Sequence, residues 1–302
     1  MVIGLVIAIF LILGFVLPYN RNGYMRAFIQ KEKVIEDQER EPLMYLVGGS
    51  NVAFGFSCEM LQEELGFNVY NTGLHAGLGT KCIIDEAAQN AKKDDIVVLA
   101  LEEFCFTKNG IQNGESILAD AAILHPTIVK RFGFSQWMTV IGGYPQYIKA
   151  KIFYVLSGMK DVPIESAEGY DCRGFNEFGD YTLHYDKPCH NTKITPKSSS
   201  AVEIDYDFIE YVAEKIKYMK NNGARVVMIP ATLNHSSYYN TKDKIDMITR
   251  ALEIKGIPYI CDQDYFVFPD SLYYDSQRHL GYEGTILRTR KTIDIIKPMI
   301  AN

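Results

Sequence analysis

Short apolar runs alternate with amphipathic stretches throughout the chain after residue 42. Runs with the length of buried strands occur at residues 43–47, 68–71, 95–101 and 225–229, and a fifth opens at 258–261. Segments with apolar positions at helical spacing separate them, at residues 57–65, 80–93, 206–222, 245–256 and 283–297. The run IVVLAL at 96–101 is continuous, as in strands covered on both faces. This alternation predicts an α/β fold with a doubly wound, parallel, five-stranded sheet.

The amino terminus has a different pattern, because residues 2–17 are apolar without interruption. A membrane span usually needs about 17–25 residues, so the run is short for one. No small-residue cleavage site follows it, which favours a retained segment over a signal peptide. We therefore expect a transmembrane anchor at residues 1–19, rather than a buried core helix, and a charged helical stalk at 20–41. The SGNH-like α/β domain expected below would then occupy residues 42–302.

The strand–helix rhythm breaks at about residues 107–200. This stretch contains apolar helical segments near 117–129 and 138–156, followed by a polar segment at 169–190. Ninety residues are too many for a simple connection, which indicates a helical insertion after strand three. A lid over the site and a dimerisation or membrane-facing surface are equally compatible with it.

Composition excludes some classes of partner and site. The net charge is −6 and no basic stripe is present, which argues against nucleic acid as a partner. The six cysteines are spread singly, with no CxxC pair, so we expect no metal site. Cys172 and Cys189 flank a turn-rich stretch, where an oxidising compartment would allow them to pair, and the other cysteines are expected to be buried free thiols.

Polar candidates follow each predicted strand. In chain order they are Ser50, Gly73, Glu102 with Glu103, Asn234, and Asp275 with His279. Ligands of open α/β sheets bind beyond the carboxyl ends of the strands. All of these residues should therefore lie along one edge of the sheet.

Three short motifs carry a family resemblance. GGSN at 48–51, NTGLHAG at 71–77 and DSQRHL at 275–280 resemble blocks one, two and five of the SGNH, or GDSL-like, hydrolases, in the same order. The ending HLGYEGTILRTRKTI is similar to that of bacterial SGNH-like proteins linked to acylation of cell-surface polymers. The resemblance covers roughly residues 42–104 and 205–300. It implies a flavodoxin-like three-layer sandwich.

The resemblance also implies catalytic roles. Ser50 would be the nucleophile, His279 its general base, and Asp275 the carboxylate that orients the imidazole. The backbone N–H groups of Ser50 and Gly73 would form the oxyanion hole. Such an enzyme forms an acyl-serine intermediate and needs no cofactor.

The sequence departs from the family pattern in the spacing of the acid. The family places its carboxylate three residues before the histidine, where this chain has Ser276, whereas Asp275 lies four before. Either a wider turn brings Asp275 to His279, or a Ser–His dyad with backbone support suffices.

A second departure concerns the oxyanion hole. The G-x-N-D motif of block three is absent, because strand three ends in LEEF at 101–104. Asn51, Asn71 and Asn234 are the substitutes available for its asparagine. Glu103, like Glu102, is placed either to contact substrate or to pair with Arg288.

We therefore expect a single-pass membrane protein whose extracytoplasmic domain is an esterase or O-acyltransferase for an acylated polymer of the glycan class. The positive-inside rule alone would place the domain in the cytoplasm, since Arg21, Arg26, Lys31 and Lys33 follow the span. The family resemblance favours the outside. The rival function is a non-catalytic module that binds glycan or assists a membrane acyltransferase.

Overall fold

The computed structural model describes residues 12–37, 39–160, 163–164, 170–190, 193–197 and 202–300. A parallel four-stranded sheet forms its centre. Its strands are β1 (Met44–Val47), β2 (Val69–Asn71), β3 (Ile96–Leu99) and β4 (Arg225–Met228), in the spatial order β2-β1-β3-β4. A separate parallel pair is formed by β5 (Leu233–Asn234) and β6 (Val267–Phe268).

Helices pack on both faces of the sheet. In chain order they are α1 (Ala27–Glu36), α2 (Ser50–Ala53), α3 (Cys58–Leu65), α4 (Thr80–Asn90), α5 (Ile117–Leu124), α6 (Phe134–Leu156), α7 (Tyr206–Asn221), α8 (His235–Ile254) and α9 (Tyr282–Ile300). Successive strand residues face opposite sides, so Tyr45 and Val47 join the core beneath α4 and α7. Met44 and Leu46 join the core beneath α3 and α9. The predicted α/β class with a parallel, two-sided sheet is confirmed.

The predicted fifth strand is wrong in extent. Residues 258–261 contribute one parallel bridge, between Tyr259 and Met228, instead of a strand. The chain turns immediately afterwards, where Tyr265 N–H donates to the Asp262 carbonyl. A polar turn at Asp262 to Asp264 therefore ends a pairing that the apolar residues before it begin.

Helix α3 begins and ends at the capping residues that the sequence indicates, Ser57 and Gly66. Ser57 caps its first turn by accepting from Met60 N–H at 3.4 Å. Gly66 ends it with a φ of 63°, a left-handed conformation that glycine adopts without a Cβ clash. The short loop before α3 therefore leaves α2 and its first residue, Ser50, close to the sheet edge.

The predicted stalk is part of the domain. Residues 24–36 are helical, but Phe28, Lys31 and Ile35 are buried against the rest of the molecule. Lys31 Nζ donates to the carbonyl oxygens of Asn71 and Gly179, both at 2.6 Å. The predicted charged segment is therefore helical, but part of it is packed into the molecule, where Lys31 with its two buried acceptors links neighbouring elements.

Lys31 gives the first prediction. Burial lowers its pKa from the ordinary 10.5 to about 7. Between these values the unfolded chain binds the additional proton, so the contribution of Lys31 to the free energy of unfolding should rise with pH from about 7 to 10.5, by up to about 1.4 kcal/mol per pH unit. Urea unfolding at several pH values measures this slope. The variant Lys31→Met should lose most of it, and an unchanged slope would contradict the assignment.

Residues 1–11 of the predicted anchor lie outside the described residues, and residues 12–16 are helical. Within the described part of the chain, no helix combines the length and apolar character needed to cross a bilayer.

The predicted helical insertion contains α5 and α6. Gly143 of α6 packs so closely on α5 that a Cβ would lie 2.6 Å from the Ser116 carbonyl oxygen, just before α5. All six cysteines are free, including Cys172 and Cys189. Cys172 Sγ instead lies 3.7 Å from the Arg21 carbonyl oxygen.

Candidate active site

Ser50 occupies the carboxyl end of β1, where it begins the one-turn helix α2. Two glycines precede it because the chain passes very close to its neighbours there. A Cβ on Gly48 would lie 2.7 Å from the Ala100 carbonyl oxygen, after β3. A Cβ on Gly49 would overlap the Glu102 carboxylate and lie 2.9 Å from Ala76 Cβ. Both glycines are thus required by close packing, and they hold Ser50 at the sheet edge.

His279 lies on a loop that precedes α9. The loop is closed by an isolated antiparallel bridge between Tyr273 and Leu280 and by a 2.8 Å bond from Tyr274 N–H to the His279 carbonyl oxygen. The imidazole stacks on the Phe54 ring, with centroids 4.4 Å apart and planes inclined by 16°. It is buried, so its orientation is fixed by packing as well as by hydrogen bonds.

The structure brings Ser50, His279 and Asp275 into one line of hydrogen bonds. Ser50 Oγ and His279 Nε2 are 2.8 Å apart. His279 Nδ1 and Asp275 Oδ1 are 2.7 Å apart. An ionised carboxylate only accepts, so Nδ1 carries the proton and Nε2 accepts from the serine hydroxyl. This is the arrangement needed to remove a proton from a nucleophilic serine.

The four-residue spacing is accommodated by the loop. Ser276 Oγ accepts from the backbone N–H groups of Arg278, at 3.3 Å, and His279, at 3.1 Å. Ser276 therefore closes the turn, while the preceding Asp275 reaches the imidazole. Of the two alternatives left open by the sequence, the wider turn is the one observed.

Tyr170 supports the acid from the insertion. Its hydroxyl donates to Asp275 Oδ2 at 3.0 Å and lies 3.2 Å from His279 Nδ1. Burial acts to raise the pKa of Asp275, but hydrogen bonding and charge from His279, with the bond from Tyr170, hold it below its ordinary value. Asp275 is therefore ionised at neutral pH. A cavity of about 40 Å³ adjoins Asp275 and is walled by aromatic side chains, among them Phe54 and Tyr181.

Asn51 supports the serine turn instead of facing a substrate. Its side-chain amide donates to the Ala100 carbonyl oxygen at 3.1 Å. Arg288 donates to the Asn51 carbonyl oxygen at 2.6 Å and to Oδ1 at 3.1 Å. The Arg288 guanidinium is buried over the Phe56 ring, and burial lowers its pKa to about 9. Both residues therefore hold α2 in place, and the expectation that Asn51 binds an oxyanion is corrected.

Gly73 and Asn71 also differ from expectation. The Gly73 N–H donates to Asn71 Oδ1 at 2.9 Å, so it is not available to an oxyanion. A Cβ on Gly73 would lie 2.6 Å from Val52 Cβ and 2.7 Å from Ala53 N, so glycine is needed for packing on α2. The Asn71 amide donates to the Val52 carbonyl and to Asp180 Oδ1. Both residues are structural supports.

Glu103 and Asn234 support the histidine loop. Glu103 pairs with Arg278 at 2.5 Å and with Lys244 at 3.7 Å. Burial acts to raise the pKa of Glu103, but these two cations lower it below its ordinary value. Asn234 caps α8 through Ser237 N–H, and its backbone N–H donates to the Gln277 carbonyl at 3.0 Å. The side chains of both are occupied, which corrects their expected substrate and oxyanion roles.

Two backbone N–H groups near Ser50 remain unoccupied. Ser50 and Ala76 each begin a short helix, and neither N–H meets an acceptor among the described residues. Ala76 lies against Gly49, and so does Glu102. His75, which directly precedes Ala76, accepts from Gly77 N–H at 2.9 Å through Nδ1 and so caps that turn.

Metal-ligating groups occur elsewhere in the described residues. Ligand atoms of Glu32, Glu36 and His125 lie within 4.8 Å of one another. His125 Nε2 is already bonded to Glu36 Oε1 at 3.1 Å and to the Thr127 hydroxyl at 2.7 Å. This group is a hydrogen-bonded cluster, and it shares no residue with the Ser50 site.

The sequence did not reveal Tyr170, Phe54 or the Arg278–Glu103 pair. Arg278 lies inside the DSQRHL motif, so its position offered a signal, but its partner comes from the end of β3. Tyr170 belongs to the insertion, outside any motif, and only the folded chain brings it to Asp275.

No protein-family model matches the chain, and a search of curated proteins returned no match. The functional conclusions for this chain therefore depend on its own residues and their geometry.

Proposed function

We propose that this chain is an SGNH-like serine esterase or O-acyltransferase that works through an acyl-serine intermediate. The observation that carries the proposal is the hydrogen-bonded line from Ser50 through His279 to Asp275. The strand order β2-β1-β3-β4, with the bridge at Tyr259 beside β4, is compatible with a flavodoxin-like sandwich of the SGNH type.

The geometry supports a two-step reaction. Ser50 Oγ attacks the ester carbonyl as His279 Nε2 takes its proton, and the same imidazole then protonates the departing alkoxide. Water or a sugar hydroxyl, deprotonated in turn by His279, attacks the acyl-serine and regenerates the hydroxyl of Ser50. Ionised Asp275 stabilises the imidazolium in both steps. Hydrolysis and transfer differ only in the second nucleophile.

The unoccupied N–H groups of Ser50 and Ala76 are the proposed backbone donors to the oxyanion. Preorganised donors stabilise the negative charge that develops on the carbonyl oxygen. Ala76 thereby takes the role expected of Gly73, three residues earlier in the same motif.

The substrate is proposed to be an acylated polymer, of the glycan class, at the outer face of a membrane. This part rests on the resemblance to SGNH-like proteins of surface-polymer acylation and on the apolar run at residues 2–17. A domain held next to the membrane suits a large substrate that does not diffuse freely.

A serine-directed fluorophosphonate probe tests the chemistry. We expect covalent labelling of the folded protein at Ser50, identified by peptide mass spectrometry, because His279 makes this hydroxyl nucleophilic. Ser50→Ala should abolish the label, and Ser57→Ala, at the cap of α3, should not. A folded wild-type chain that takes no label would contradict the enzyme.

The second candidate is a non-catalytic SGNH-like module that binds glycan or assists a membrane acyltransferase. One observation favours it: the side-chain amides of Asn51, Asn71 and Asn234 are all engaged in structural hydrogen bonds, so none replaces the missing asparagine. The probe separates the two candidates, because the module predicts no labelling together with retained glycan binding.

The side of the membrane on which the domain lies is tested at Cys189, which is exposed and free. If the domain faces outward, an impermeant thiol reagent should label it in intact cells, and Cys189→Ser should remove most of the label. Labelling only after the cells are broken would place the domain in the cytoplasm.

A further inference from the structure

The insertion helix α6 presents an apolar face to solvent. Its large apolar side chains recur at helical spacing and are all exposed: Phe134, Trp137, Met138, Ile141, Ile152, Phe153 and Leu156. Phe134 is 82% exposed and Leu156 is 74% exposed. A group of exposed apolar side chains on one helix marks contact with another apolar surface or phase.

The opposite face of α6 is packed against the domain. Val140, Gly143, Tyr147 and Ile148 are buried on that side. The helix is therefore amphipathic in place, and its apolar outer face is not needed for the core.

The packed side of α6 also contacts the amino-terminal segment, residues 12–19. Lys151 Nζ donates to the Gly14 carbonyl at 2.6 Å, and the Tyr19 ring stacks on Tyr147 with centroids 5.8 Å apart. Phe15, beside Gly14, is 77% exposed. The eleven residues before this segment, MVIGLVIAIFL, contain no charged side chain. Two apolar elements of the chain thus lie side by side.

Exposed lysines lie on α6 and near both of its ends. The helix contains no Asp or Glu, and of its two lysines Lys149 is exposed whereas Lys151 is buried. Lys130 before the helix and Lys160 after it are also exposed. Helices with an apolar face, aromatic residues and a basic rim bind in the headgroup region of membranes that carry negative charge.

We propose that α6 lies in the surface of a phospholipid bilayer with anionic headgroups, beside the amino-terminal segment. Its apolar face would enter the boundary between headgroups and acyl chains, and the exposed lysines on and beside it would meet lipid phosphates. Two membrane contacts, unlike a single flexible tether, fix the orientation of the domain and therefore the direction in which Ser50 faces.

Trp137 is the natural probe, because it is the single tryptophan of the chain and lies on this face. The full chain is reconstituted into vesicles of phosphatidylcholine and phosphatidylglycerol, with or without bromine on the acyl chains. Brominated lipid should lower tryptophan emission about twofold or more, since bromine quenches only at close approach in the bilayer. Iodide added to the aqueous phase should quench little.

Other results would overturn the proposal. If brominated lipid does not quench Trp137 but iodide does, the apolar face of α6 is in water. If neither quenches it and copies of the chain crosslink, a second chain covers this face. The variant Ile141→Glu should lose most of the bromine effect. Ile254→Glu, at a 79% exposed apolar position at the end of α8, is the matched control and should retain it.

A separate observation concerns Glu102, which occupies the place where the family motif has asparagine. Its side chain is buried, with a carboxylate oxygen against Gly49, next to Ser50. The nearby Arg278 hydrogen-bonds Glu103 and Arg288 hydrogen-bonds Asn51, so these cations act on Glu102 through their charge and not through a recorded hydrogen bond. A buried carboxylate that no cation hydrogen-bonds is costly when ionised.

We infer, resting on the proposed function, that Glu102 is a neutral carboxylic acid that donates its O–H to the oxyanion formed at Ser50. An ionised carboxylate there would repel that oxyanion, whereas an acid kept neutral by burial can donate a hydrogen bond to it.

The surroundings of Glu102 agree with this assignment. Burial raises its pKa, and the charge of Glu103 acts in the same direction. The Asn51 amide, the backbone N–H of Glu102 and the charge of Arg278 lower it by less. Arg288 and Cys105 also face it. The balance leaves the pKa above its ordinary value.

Paired variants test the role through the rate of fluorophosphonate labelling. Glu102→Gln keeps an N–H donor and should stay within about tenfold of the wild type, whereas Glu102→Ala should lose about 100-fold or more. The wild-type rate should also fall at high pH more steeply than that of Glu102→Gln. Equal loss in both variants, or no loss in Glu102→Ala, overturns the inference. A wild type that never labels instead indicates failure of the proposed function itself.

Discussion

Replacing His279 with alanine is expected to lower the turnover of an ester substrate by about 10⁴-fold or more, because the serine hydroxyl then has no base. Nε2 is 2.8 Å from Ser50 Oγ, and among the described residues no other base is hydrogen-bonded to that hydroxyl. The measurement is kcat for a soluble aryl ester. The fluorophosphonate labelling rate of the same preparations reports on Ser50 directly.

His75→Asn is the control for this prediction, since His75 directly precedes Ala76, which lies against Gly49 beside Ser50. Asparagine retains an acceptor for Gly77 N–H, which His75 Nδ1 now binds. This variant should stay within about tenfold of wild-type kcat. If His279→Ala retained most of the activity and His75→Asn lost it, the base would be His75 and the proposed line of three residues would be wrong.

The hydrogen-bonded line of Ser50, His279 and Asp275 was predictable because each member depends on local sequence. Ser50 follows a buried strand and two glycines, and the DSQRHL motif carries both Asp275 and His279. Residues at the ends of parallel strands meet at one edge whatever lies between them in the chain. The class of the fold follows from the same alternation of strands and helices.

The roles of the residues around Ser50, His279 and Asp275 were not predictable, because they depend on hydrogen bonds and ion pairs between residues that are far apart in the sequence. Asn51 has the residue type of an oxyanion donor, yet Arg288 and the Ala100 carbonyl occupy its side chain. Glu103 has the residue type of a substrate ligand, yet Arg278 neutralises it. A side chain beside a site can bind substrate only if its hydrogen-bonding atoms are not already paired with other protein groups. A single sequence does not show which residues become neighbours in the fold.

The burial of the helix within the predicted stalk was missed for a related reason. Its charged residues gave no sign of burial, but Phe28 and Ile35 are spaced to bury one face, and Lys31 donates to two carbonyl oxygens in the interior. Charge content alone does not distinguish a solvated helix from one whose lysine is satisfied in the interior. The fifth strand failed because a single bridge at Tyr259 has the same apolar signature as the start of a strand.

Asp275→Asn is expected to lower kcat by about 10³–10⁴-fold while leaving the fold intact. The carboxylate accepts from Nδ1–H and so presents the unprotonated Nε2 to Ser50. An amide can donate to Nδ1 instead, which moves the ring proton to Nε2 and removes the base. It also removes the negative charge that stabilises the imidazolium.

The geometry of the loop gives a sharper control for this second prediction. Moving the acid to the family position, with Asp275→Ser and Ser276→Asp together, should not restore activity, because the Ser276 side chain faces the backbone N–H groups of Arg278 and His279. Tyr170→Phe removes only one hydrogen bond to the carboxylate and should cost about tenfold. Near-normal kcat in Asp275→Asn would mean that Ser50 and His279 suffice as a dyad, and wild-type kcat in the swapped variant would mean that the loop adapts. If Asp275→Asn is slow and the swap fails, the carboxylate works only from the position in which this chain carries it, four residues before the histidine.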